Sequence, residues 1–139
     1  MGGMRDDEKS TLREIWGESF KMACFIYSLT DRASYSFMMD LRKNTRSVTV
    51  EILGLIMEGL DSTGSRGREN CFRAAAARLA SLKNLMLKGY QDNCISYQDL
   101  ARFRDSCMGL RDRLLDPGLE APGNGPGIRA VGGDGTTDL

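Results

Sequence analysis

The run from Tyr35 to Gly59, YSFMMDLRKNTRSVTVEILGLIMEG, is the stretch that most limits how this chain can fold. Met38, Leu41, Thr45, Val48, Ile52, Leu55 and Gly59 recur at alternating steps of three and four, with Phe37, Ile56 and Met57 beside them. On a helix that spacing gathers them into one stripe, the seam of a bundle. A helix of 25 residues is about 37 Å long at roughly 1.5 Å per residue, the height of a small domain. The remaining periodic segments read as partners for that seam.

Three further segments qualify. Leu12, Trp16, Ser19, Ala23, Ile26 and Thr30 form one stripe, flanked by Ile15, Met22 and Leu29. The Thr11/Glu14 pair predicts a capping box at the start of that helix, which runs to about Leu29. Phe20, Phe25 and Tyr27 fall off the stripe, favouring either a wider core or self-association. After a short polar link, Ser34 is placed to cap the central helix, and Gly59 to end it. A third helix is expected from Arg68 or Glu69 to Lys88, with Phe72, Ala75, Leu79, Leu82 and Met86 inward and Gly89 as its stop. The fourth begins after Ser96, with Asp99 at the third position and Ile95 and Leu100 spaced for a hydrophobic staple. Its seam is Leu100, Phe103, Cys107, Leu110 and Leu114.

Short links between four such segments predict an all-α, antiparallel up-down-up-down four-helix bundle. Residues 1–10 read as a flexible N-terminus, 11–115 as the bundle, and 116–139 as a Gly- and Pro-rich disordered tail. No apolar run approaches the ~20 residues that span a bilayer, and the first ten residues lack the apolar core of a secretory signal, so a cytoplasmic location is expected without a membrane partner. Cys24, Cys71, Cys94 and Cys107 show no C-x-x-C pairing and read as reduced thiols.

The chain holds 19 basic and 19 acidic residues and no histidine. Without histidine, neither a Ser-His-Asp set nor the Glu-x-x-His pairs of a di-metal bundle can be built. Glu14, Glu18, Glu51 and Glu58 read as solvated or ion-paired, and no phosphate-binding loop is present. The expectation is a binding protein and not an enzyme, with no cofactor, no metal and no small-molecule substrate.

Charge is unevenly spread. Setting aside the acidic ends leaves 17 Lys and Arg against 12 Asp and Glu between Lys9 and Leu115. Arg42, Lys43 and Arg46 cluster on the central helix, and Arg66, Arg68, Arg73, Arg78, Lys83 and Lys88 on the third helix and the loop before it. These nine are the candidate nucleic-acid or polymerase contacts. A surplus of this size makes a modest site on one copy, and repetition in an oligomer would multiply it. No aromatic residue interleaves these arginines in sequence, so backbone or shape recognition is expected over base stacking.

Residues about 12–115 resemble a known family. DLRKNTRSVTVEILGLIMEG, RENCFRAAAARLASLKNLMLKGYQDNCIS and YQDLARFRDSCMGLRDRL look like the four-helix bundles that include the accessory variability determinant (Avd) proteins of diversity-generating retroelements and the intervening-sequence proteins encoded within some large-subunit ribosomal RNA genes. Met57-Glu58-Gly59, the segment Leu82 to Leu87, and Ile95-Ser96 with Tyr97 carry the likeness. The resemblance implies a homopentameric barrel with a basic outer surface, partnered by a reverse transcriptase and its structured template RNA. It implies that Arg42, Lys43, Arg46, Arg73, Arg78 and Lys88 are contacts. Its alternative is a ribosomal intervening-sequence-type bundle acting as a protein-interaction or structural module.

Overall fold

A computed structural model describes residues 6–32 and 39–116. They form four helices: α1 (Asp6–Arg32), α2 (Met39–Asp61), α3 (Ser65–Gln91) and α4 (Tyr97–Leu115). Each helix packs on two neighbours, α1 on α2 and α4, and α3 on α2 and α4, with α2 against α3 the most extensive seam. Cross-helix pairs give the direction. Glu51 meets Arg78 and Gly59 meets Phe72, so α3 runs against α2. Tyr90 meets Tyr97, and Glu14 meets Arg113 while Arg32 meets Asp99, so α4 runs against both α3 and α1. This is the antiparallel up-down-up-down bundle that the periodicity predicts.

The core is built largely from the predicted stripes meeting on one axis, with their members Trp16, Leu41 and Leu55 only half-buried. Ile15, Ile26, Ile52, Ile56, Leu79, Leu82 and Phe103 are fully buried, and Phe72 and Leu110 nearly so. Each such side chain contributes roughly 1.5–3 kcal/mol by leaving water, so the helices are held by their shared interior more than by their own propensity. Ser19, a polar member of its stripe, and Thr49, which lies outside the predicted one, are also buried and donate to the Trp16 and Thr45 carbonyls of their own helices. Met57, expected at the edge of the stripe, is instead 49% exposed.

The helix ends differ from expectation. Thr11 is not a cap: α1 already starts at Asp6, and the Thr11 hydroxyl donates to the Asp7 carbonyl four residues back. Asp6, Asp7 and Glu8 occupy the first turn, where carboxylates favour the positive end of the helix dipole. Residues 6–10 of the stretch expected to be flexible are therefore helical.

Gly59 and Gly89 are not stops. Both are buried inside helices that continue past them, and a Cβ at Gly59 would sit 2.7 Å from Cε1 of Phe72. Gly59 is required by the close approach of α3. The left-handed residue after α3 is Asn93, at φ 64°. Arg66 belongs to the first turn of α3 and not to a loop. The Ser96 cap is as expected, its hydroxyl accepting from the Asp99 amide at 3.0 Å. The four cysteines are free. The Ser34 cap, the residues Tyr35 to Met38, and the Gly- and Pro-rich tail lie outside the described residues. No described helix is long and apolar enough to cross a membrane.

Candidate nucleic-acid interface

Arg42, Lys43 and Arg46 are brought together. They lie in the first two turns of α2 and line an open groove of about 620 Å³ between α1 and α2, with Tyr27, Met39, Asp40, Ser47 and Val50. Arg46 is the fixed member. Its Nη2 lies 2.6 Å from Asp31 and donates to the Tyr27 carbonyl, and its Nε donates to the Thr30 hydroxyl at 2.8 Å. The guanidinium also lies 4.5 Å from the centre of the Tyr27 ring. A side chain held at four points is pre-organised, and the planar fork of arginine is what makes that possible. Lys43, by contrast, is exposed and makes no ion pair among the described residues. Arg42 is half-buried beside it.

The other six do not form one ridge. Arg68 turns back onto the end of α2, donating to the carbonyls of Gly59 and Ser62. Arg73 pairs with Glu69, one turn back on α3, at 2.9 Å, and Lys88 with Asp92, the residue just past the end of α3, at 3.4 Å. Arg78 reaches across the α2–α3 seam to Glu51 at 3.1 Å. Arg66 and Lys83 are exposed without an ion pair among the described residues, but they stand more than four turns apart on α3, the first near its start and the second beside α4. Much of the basic surplus of α3 is thus met by carboxylates.

Three of the four carboxylates singled out in sequence are similarly engaged: Glu14 with Arg113 at 2.6 Å, Glu18 with Lys21 at 4.0 Å, and Glu51 with Arg78, while Glu58 makes no ion pair among the described residues. No cluster suited to a metal ion occurs among the described residues. Cys71, Cys94 and Cys107 are shifted away from reactivity. Burial raises Cys107 above the ordinary thiol value, against the downward pull of Lys83 and Arg111. Burial and then the nearby Glu58 charge raise Cys71, and burial and Asp92 raise Cys94.

Two arginines escaped the sequence reading. Arg104 and Arg111, seven residues apart on α4, are exposed and make no ion pair among the described residues. Their identical spacing was visible, but the side of the bundle they face was not. Comparison with protein-family models, curated proteins and solved structures finds no match.

Proposed function

We propose that this chain is a non-enzymatic accessory protein of the Avd type, which assembles as a homo-oligomer and binds reverse transcriptase and template RNA through its basic outer surface. The observation that carries the reading is the α1–α2 groove, where three cations converge on one concavity with Tyr27 at its wall. Such a groove offers a phosphate the exposed ammonium of Lys43 beside the fixed guanidinium of Arg46, with Arg42 adding charge at its wall. Asp31 and Asp40 temper the charge, so one copy makes a weak site, and repetition around a ring supplies the avidity.

The test is fluorescence anisotropy of a structured RNA hairpin with the full chain at roughly 50 and 200 mM salt. Binding that weakens steeply with salt, and that is lost in the K43E/S47E variant with helicity unchanged, is expected. Affinity that is flat with salt, or indifferent to K43E/S47E, contradicts the reading. Lys43 and Ser47 are both exposed, so the variant leaves the core intact.

The second reading, a protein-interaction module of the ribosomal intervening-sequence type, is favoured by a different observation. Phe20 is 54% exposed on α1 and stays open, whereas Phe25 lies beneath Arg102 and Tyr27 beneath Arg46.

A further inference from the structure

The α3–α4 seam carries a surface that the reading above does not use. On α4, Arg104, Met108, Arg111 and Leu115 form a column about 90° round from the buried one. Its direction is fixed by the opposite flank, where Asp99 and Arg113 pair with Arg32 and Glu14 of α1. The column therefore borders α3. Met108 is 57% and Leu115 46% exposed, and across the seam Leu87 is 43% exposed. These are large aliphatic groups left in water.

Among them stand Lys83, Arg104 and Arg111, exposed and without an ion pair among the described residues, whereas Arg32, Arg46, Arg78 and Arg113 each hold a carboxylate on another helix. Lys83 and Arg111 both act on the buried thiol of Cys107, which places the two charges near one point of the seam. Neighbouring acids do not cancel them. Glu69 is committed to Arg73, and Asp105 and Asp112 each follow an arginine and so point about 100° further round, away from α3.

We infer that this seam is a docking groove for an acidic amphipathic helix of a partner protein. Arg104 and Arg111, like Met108 and Leu115, are seven residues and about 10.5 Å apart, two turns of a partner helix lying along the seam. Apolar residues of that helix spaced by three and four would cover Leu87, Met108 and Leu115, and flanking glutamates would meet the three cations. Nucleic acid fits less well. Aliphatic side chains offer it nothing, and the Tyr90 and Tyr97 rings pack edge to face, 6.0 Å apart at 64°, instead of lying parallel as stacking platforms. The groove for RNA lies on the α1–α2 side, so either surface can fail without the other.

The test uses the full chain and a fluorescein-labelled synthetic peptide with leucines at helical three-four spacing flanked by glutamates. A peptide of the same composition in scrambled order and a single-stranded RNA of similar charge serve as competitors. The ordered peptide is expected to bind at least roughly tenfold more tightly than the scrambled one, and to lose at least that factor in R104E/R111E. Met108→Ser is expected to weaken it several-fold at unchanged salt dependence, since it removes contact without charge. Equal binding of both peptides, indifference to R104E/R111E in a chain that retains its helicity, or displacement of the peptide by RNA in preference to unlabelled peptide overturns the inference.

Discussion

Two glycines of α2 show how one atom decides a side chain's fate. Gly54 faces open space, whereas a Cβ at Gly59 would meet the Phe72 ring at 2.7 and 2.8 Å and the Cys71 Cβ at 3.1 Å. Gly54→Ala is expected to stabilise the fold by up to about 1 kcal/mol through helix propensity, and Gly59→Ala to destabilise it by about 1–3 kcal/mol through overpacking. Urea unfolding of the two variants checks the pair, and equal shifts would contradict the packing. Arg46 makes the same point for charge: Arg46→Lys keeps the cation but not the fork that reaches Thr30, the Tyr27 carbonyl and Asp31 together. A loss of about 1 kcal/mol or more is expected in Arg46→Lys by the same measurement. Cys107, buried and with its thiol raised, is expected to resist iodoacetamide in the folded protein while exposed Cys24 reacts, as mass spectrometry of the alkylated chain would record.

At the scale of the helix, two of the three hydroxyl caps read from sequence, Thr11 and Ser96, part company. Ser96→Ala is expected to cost about 1 kcal/mol, because the Asp99 amide loses its acceptor. Thr11→Ala is expected to be nearly neutral, because Thr11 sits inside α1 and only bonds back to Asp7. Thermal unfolding distinguishes them, and equal losses would return Thr11 to the helix start. The inward stripes were legible because burial follows the three-four period: every predicted core position of α3 and α4 is buried. The ends were less legible. Gly59 and Gly89 look like stops in a single sequence, but both helices run on past them, and Gly59 is small to admit α3, a neighbour that nothing local encodes.

For the whole molecule, the site was only partly legible. Arg42, Lys43 and Arg46 cluster in sequence and again in the groove, since one turn of helix keeps them together. The charge of α3 was misjudged because its partners are distant or ambiguous: Glu51 is 27 residues from Arg78, and only antiparallel packing of α2 on α3 joins them. Arg104 and Arg111 were legible as a spacing but not as a surface, for the same reason. On the proposed reading, function lies outside the core, on surfaces whose individual sites are weak and whose strength comes from repetition. The most direct test is the molar mass of the full chain by size-exclusion chromatography with light scattering. The account predicts an assembly of several copies, five by the Avd resemblance, of the 15.4 kDa chain. A single 15.4 kDa species at micromolar concentration would contradict it.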